Sequence, residues 1–249
     1  MKKISALLVL TLLAASAAPA LAEKDTGEVM IMPDIELIDV PTAGILDYGG
    51  FQLKTRFYND GGVLGGLNFG VMERLNLGVS MTVDKLIGSD SPIRMRRPEI
   101  QVKFRFDDGG YYLPAMALGY DSQGYYYNPG ARKYYEKGKG LYLVGSKEVG
   151  ISNLMLHGGF NIPDFDNNYF FGFLGANYTL EDKVSFILEY DSLFHSDDPT
   201  RLNAGMRVYI TPYFRLDMAL REIGRSGEFA PGVSRKSERI VQMRYNTNF

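Results

Sequence analysis

Glu99-Ile100-Gln101-Val102-Lys103-Phe104-Arg105-Phe106-Asp107 alternates without a break between polar and apolar residues. Successive side chains of a β-strand point to opposite faces. Glu99, Gln101, Lys103, Arg105 and Asp107 therefore occupy one face, and Ile100, Val102, Phe104 and Phe106 the other. The same period recurs outward from this stretch. Residues 75–84 set Leu75, Leu77, Val79, Met81 and Val83 against Asn76, Gly78, Ser80, Thr82 and Asp84. Residues 184–191 set Val184, Phe186, Leu188 and Tyr190 against Ser185, Glu189 and Asp191. Residues 202–210 set Leu202, Ala204, Met206, Val208 and Ile210 against Asn203, Gly205 and Arg207.

Extending the pattern predicts twelve strands, over 50–58, 62–72, 75–86, 98–107, 111–121, 140–148, 151–162, 169–180, 183–193, 201–210, 213–223 and 238–249. After the second strand the connections alternate. Tight turns at 73–74, 108–110, 149–150, 181–182 and 211–212 are interleaved with longer segments at 87–97, 122–139, 163–168, 194–200 and 224–237. An even strand number, with short turns at one end and long loops at the other, is the plan of an outer-membrane barrel.

The N-terminus gives an independent address. Lys2 and Lys3 precede an apolar run over residues 6–13, and Ala20-Leu21-Ala22 reads as a cleavage site. Residues 1–22 are thus expected to be a signal peptide, and the mature chain then carries 25 basic and 29 acidic residues, a net charge of −4. Its remaining apolar runs are too short for a membrane helix, so a membrane location requires a closed barrel with no free strand edge. A mean hydropathy of −0.13 beside 45% hydrophobic residues suits strands with one lipid face and one wet face. The last strand places Val241, Met243, Tyr245 and the terminal Phe249 on one face, like the signal read by barrel-assembly machinery. The expected fold is all-β: a single antiparallel up-and-down transmembrane barrel over residues 48–249, with residues 23–47 as a short periplasmic or plug segment. The apolar content of Val29, Met30, Ile31, Met32, Ile35, Leu37 and Ile38 predicts that this segment docks on the barrel.

In such a barrel the polar face lines the lumen. Inward candidates are Lys54, Arg56, Lys103, Arg105, Arg201, Arg207, Arg215, Arg221 and Arg244, with Asp84, Glu99, Asp107, Glu189, Asp191 and Asp217. Barrel closure makes the first strand a neighbour of the last three. Lys54, Arg56, Arg207, Arg215, Arg221 and Arg244 are then expected to form one cationic wall, flanked by the acids Glu189 and Asp191. The wall reads either as a track for anionic solutes, because guanidinium forks match carboxylate and phosphate, or as a salt-bridge network that fills a narrow barrel. Gly66, Asn68, Gly70, Ala115, Ala117 and Gly119 also face inward, either for clearance or for close packing.

Three stretches carry a resemblance to a known family. They are Val40-Pro41-Thr42-Ala43 followed by Tyr48-Gly49-Gly50-Phe51, then Ile100 to Phe106 followed by Tyr112-Leu113-Pro114-Ala115-Met116-Ala117-Leu118-Gly119, and Leu141-Tyr142-Leu143-Val144-Gly145-Ser146-Lys147. The segment they span, about residues 40 to 160, resembles the YjbH-like family of outer-membrane barrels associated with exopolysaccharide production, whose typical members are longer. The resemblance implies a non-enzymatic barrel with a link to exopolysaccharide production or export, and polysaccharide-export components as partners. It brings no catalytic residues. The reading from the residues keeps a narrow channel, selective for anions or acidic oligosaccharides, as the alternative.

Other chemistries find less support. With no cysteine, disulfides, zinc–thiolate sites and cysteine nucleophiles are excluded. A net charge of −2 gives no nucleic-acid footprint. A lipid hydrolase, the minor alternative, would need serine beside histidine on an outward face. The two histidines are His157, with Asn153, Met155, Gly159 and Asn161 on its inward face, and His195 in the loop Phe194-His195-Ser196-Asp197-Asp198. Asp164-Phe165-Asp166-Asn167-Asn168 lacks the full spacing of a calcium loop. No cofactor and no metal is expected. Tyr111-Tyr112, Tyr125-Tyr126-Tyr127 and Tyr134-Tyr135 are read as interfacial girdle and loop packing, or more sharply as a sugar-stacking surface. The expected partners of the barrel body are outer-membrane lipid, lipopolysaccharide and the assembly machinery.

Overall fold

The computed structural model describes residues 34–89, 92–165, 169–194, 200–230 and 233–248. The strands are β1 (Gly50–Tyr58), β2 (Gly62–Met72), β3 (Leu75–Asp84), β4 (Arg94–Met95), β5 (Glu99–Asp107), β6 (Ala115–Asp121), β7 (Tyr125–Asn128), β8 (Lys133–Glu136), β9 (Gly140–Glu148), β10 (Leu154–Ile162), β11 (Phe171–Leu180), β12 (Val184–Leu193), β13 (Arg201–Tyr209), β14 (Phe214–Ala230) and β15 (Val233–Asn248). Twelve of them close into an antiparallel barrel in the order β2-β1-β15-β14-β13-β12-β11-β10-β9-β6-β5-β3, with β3 returning to β2. Tyr245 to Val241 of β15 run against Leu53 to Phe57 of β1 and form the seam. Closure leaves no barrel strand with an unpaired edge, which is what a lipid environment demands.

The period-2 pattern sorts the side chains as its chemistry requires. Leu53, Leu67, Leu77, Val79, Ile100, Phe104, Leu118, Phe186, Leu188, Val241 and Tyr245 are exposed on the outer wall. A continuous apolar belt of this extent suits lipid and would be a liability in water. Inside, Arg56, Arg207 and Arg221 are 1% exposed and Arg244 0%.

Besides the two-residue β4 within the expected loop over 87–97 and a start at Phe171 for the expected strand over 169–180, the strand boundaries depart from expectation at four main places. The fifth predicted strand begins at Ala115, because residues 111–113 bend and Lys147 Nζ holds the carbonyls of Gly110 and Tyr111 at 2.6 Å. The seventh begins at Leu154, because Asn153 lies in the left-handed region at φ 67° within the turn. The segment expected as a loop over 122–139 contains the hairpin β7–β8. The expected loop over 224–237 is mostly strand, since β14 and β15 continue as one long hairpin with register shifts. Residues 1–22, His195, Asp166 to Asn168 and Phe249 lie outside the described residues.

The barrel is filled from within. Residues 34–47 enter at the short-turn end, where Asp34 meets Arg215, fold back on themselves, and leave beside Gly70. Glu36 and Pro41 form an antiparallel bridge, and Leu37 N–H donates to the Val40 carbonyl at 2.9 Å, closing a tight turn. The apolar side chains of this turn find two inward apolar patches. Leu37 and Ile38 join Tyr58, Leu64, Ile187, Ala219 and Ile240, whereas Val40 and Ala43 join Ala117, Tyr142, Val144 and Phe173. Several inward positions are thus apolar, at odds with a uniformly polar lumen, because they face protein rather than water.

Candidate functional site

The six wall cations predicted from sequence do come together, on β1, β13, β14 and β15. The ladder sets Arg215 opposite Arg244 and Arg244 opposite Lys54, so three cations stand abreast across two strand pairs. Like charges placed so are mutually destabilising. The inserted segment relieves them. Asp34 pairs with Arg207 and Arg215 and accepts the Tyr209 hydroxyl at 3.0 Å. Glu36 lies 2.7 Å from Lys54 Nζ and 3.4 Å from Arg244. Asp39 lies 2.7 Å from Arg56 and 2.6 Å from Arg221.

Main-chain groups of the turn are read as well. Arg207 Nη2 donates to the carbonyls of Glu36 and Leu37 at 3.2 and 3.0 Å, and Arg244 donates to the same two at 3.0 and 2.5 Å. Arg56 donates to the Ile38 carbonyl. Lys103, from the opposite wall, donates to the carbonyls of Ile35, Thr42 and Gly44. On the amide side, Glu189 accepts N–H bonds from Ile38 at 2.7 Å, Asp39 at 2.9 Å and Val40 at 2.9 Å, and one from Asn203 Nδ2 at 2.9 Å. The turn is therefore held between arginines on its carbonyls and a carboxylate on its amides. Bonds with one ionised partner are the strong kind.

Charge matching fixes the ionisation of the segment. Burial alone would raise the carboxyl of Glu36, but Lys54, Arg244 and Arg56 outweigh it and hold it at about 2. Burial acts the same way on Asp39, and Arg221 with Arg56 drive it further below the usual carboxylate range.

The remaining predicted residues fall as follows. Asp217 pairs with Arg207 at 2.8 Å and Arg244 at 3.2 Å. Asp191 is held by Lys139 at 2.5 Å rather than by the wall. Val241, Met243 and Tyr245 share the outer face of β15. Asp84 pairs with Arg96, Glu99 with Arg97 and Arg105 with Asp108, all near the barrel ends. Gly119 and Gly70 serve close packing, since a Cβ would meet Tyr142 Oη at 2.3 Å or the Asp47 carbonyl at 1.9 Å. Gly66, by contrast, borders a cavity of about 50 Å³ beside the segment, with Asn68, Ser80, Gln101 and Asp121. That space suits a few waters and no larger solute.

The loop-end hairpin β7–β8 was invisible as a lumen element in the sequence. The Tyr125 hydroxyl accepts from Arg56, and its ring lies 4.5 Å from the Arg221 guanidinium carbon. Glu136 pairs with Arg221 and, at 3.0 Å, with Arg201. Arg221 thereby holds Asp39, Glu136 and Glu238 together. These tyrosines do more than line an interface or a loop: Tyr126 and Tyr134 donate to Glu238 and Glu99, both at 3.0 Å.

Ser146 and Asn177 were also missed. Ser146 Oγ stands 2.8 Å from His157 Nδ1, and Asn177 Oδ1 stands 2.8 Å from His157 Nε2. The order serine–histidine–amide is that of a nucleophile, its base and an orienting group. Here the row faces inward, and the serine oxygen accepts the Ala43 N–H at 2.8 Å. Ala43 and Ser146 are 0% and 3% exposed, so the row tethers the segment and leaves no room for an ester.

No family model and no curated protein matches the chain. Among solved structures, a KdgM porin superposes with a TM-score of 0.52 over 79% of this chain and 98% of its own, at 10% identity. An active-site mutant of outer membrane phospholipase A from Escherichia coli gives 0.47 over 95% and 98%, at 17% identity. A NanC porin gives 0.42 over 80% and 99%, at 10% identity. The likeness is one of fold. The chain has the closed twelve-stranded architecture of bacterial outer-membrane β-barrels.

Proposed function

We propose that this protein is an outer-membrane channel for anionic solutes, closed by its own residues 34–47. One observation carries the reading: a contiguous wall of six cations is gathered in the lumen and then occupied by a tethered, acid-bearing segment. A barrel that needed only a stable interior would do as well with an apolar one. In this reading the short turns face the periplasm, the signal peptide is removed on export, and lipopolysaccharide and the assembly machinery are partners of the barrel body.

Planar-bilayer conductance is the test. The full chain is expected to be almost silent at pH 7. A variant lacking residues 34–46 should open with anion selectivity, and replacing Arg207, Arg215 and Arg244 by Gln in that variant should abolish the selectivity. Cation-selective openings, or a silent deletion variant that is folded in detergent, would sink the channel.

A second reading, a non-enzymatic role in exopolysaccharide production or export, is favoured by the three stretches within residues 40–160 that resemble the YjbH-like family. Two of them meet in the structure, where Ala43 N–H donates to Ser146 Oγ. Loss of surface polysaccharide on gene deletion, with a silent barrel in bilayers, would favour this role over the channel.

A further inference from the structure

Asp34, Glu36 and Asp39 each sit between two lumen cations. The pairs are Arg207 and Arg215, Lys54 and Arg244, and Arg56 and Arg221. These pairs lie on contiguous strands, and Arg215, Arg244 and Lys54 stand directly abreast. Asp217 compensates Arg207 and Arg244, and Glu136 and Glu238 compensate Arg221, but Lys54, Arg56 and Arg215 have their carboxylate partners on the segment and would lose them without it. The segment is also held through its backbone and its apolar side chains, but its three carboxylates meet the cations by charge and forked geometry, and that part of the fit a carboxylate-bearing chain of suitable spacing reproduces.

We propose that the lumen is a three-station binding site for a linear acidic oligosaccharide, and that Asp34, Glu36 and Asp39 are internal occupants that such a chain displaces. The proposal rests on the channel reading only in needing the lumen to be reachable. Because the segment is tethered, it competes at high effective concentration, and a single carboxylate cannot evict it. A chain that engages several stations together can.

The chain has no cysteine of its own, so Val40→Cys supplies a single thiol at a position that is 0% exposed. In detergent-solubilised full chain, maleimide labelling of this thiol should be slow. Hexamannuronate should accelerate it at least fivefold. Maltohexaose, of equal length but uncharged, and free mannuronate at equal carboxylate concentration should not. By calorimetry, D34N/E36Q/D39N should bind hexamannuronate at least tenfold more tightly than the parent chain. Heat-dependent gel migration identifies the variants that hold a folded barrel, and the labelling experiment stands alone should the triple variant fail to fold.

Unchanged labelling with unchanged affinity overturns the proposal, and so does equal acceleration by maltohexaose or by the monomer. The two readings separate cleanly. Anion conductance through the deletion variant with no response to hexamannuronate removes the stations and keeps the channel. A hexamannuronate response without conductance keeps the stations and removes the channel.

Discussion

Glu189 accepts three consecutive backbone N–H groups from a segment some 150 positions away in sequence. Replacing it with Gln keeps the volume and removes the charge. Charge-assisted bonds are worth roughly 1.5–3 kcal/mol each in favourable sites. E189Q is therefore expected to weaken docking of the turn by about 2 kcal/mol, read as faster amide hydrogen exchange at Ile38 to Val40 with the barrel amides unchanged. Gly175 tests the same contact sterically. A Cβ there would lie 2.7 Å from Leu37 Cδ1 and 3.2 Å from Val40 Cγ1. Alanine can be absorbed by rotation of Leu37, whereas Gly175→Val should displace the turn and raise bilayer conductance. Conductance like that of the parent would mean the turn does not close the lumen. Glu189 and the six cations were legible in the sequence as inward residues, because a period of two assigns faces directly. Their partner was not legible. The short Leu37-to-Val40 turn has no periodicity, and nothing local shows that its amides and carbonyls meet opposite charges from distant strands.

At the scale of elements, strands read well and their interruptions did not. The face assignment in 99–107 and 184–191 holds in β5 and β12, with lipid outside and a mostly polar lumen inside, the exception being inward Ile187, which packs against Leu37 and Ile38. β7 and β8 carry no such segregation, since neither face meets lipid. Their hairpin closes through Asn128 Oδ1, which accepts the Gly130 N–H at 2.9 Å. Its weight lies in Glu136, 3% exposed between Arg201 and Arg221. Removing one partner from a buried ion pair costs about 3–5 kcal/mol. Arg221 keeps Asp39 and Glu238, so Glu136→Ala is expected at the lower end, about 3 kcal/mol, as a lower unfolding midpoint in urea with the barrel still formed. A change under 0.5 kcal/mol would mean that the hairpin rests on the strands without bracing them.

Across the whole molecule, the closed state is tied to ionised carboxylates on the segment. Glu36 is depressed to about 2 in the folded protein, and Asp39 is depressed as well. Groups lowered on docking contribute fully above their ordinary values near 4 and lose that contribution as pH falls through the depressed one. Bilayer conductance of the full chain should therefore rise as pH drops from about 4 towards 2 and stay low between 5 and 8. Openings that increase only above pH 8 would contradict this assignment. Because these pairs are buried, raising salt at pH 7 should have little effect on closure.

The seam carries a consequence for how the molecule is made. Arg244 belongs to the last strand and Lys54 to the first, and zipping the two together forces these cations opposite one another. Glu36 touches both. A segment lying just ahead of the first strand thus neutralises the join in the closed cylinder. Residues 34–47 are then expected to speed the joining of the two strands without being required for it. Variants of Glu36 should slow the appearance of the folded form in refolding time courses even where the final yield is unaltered.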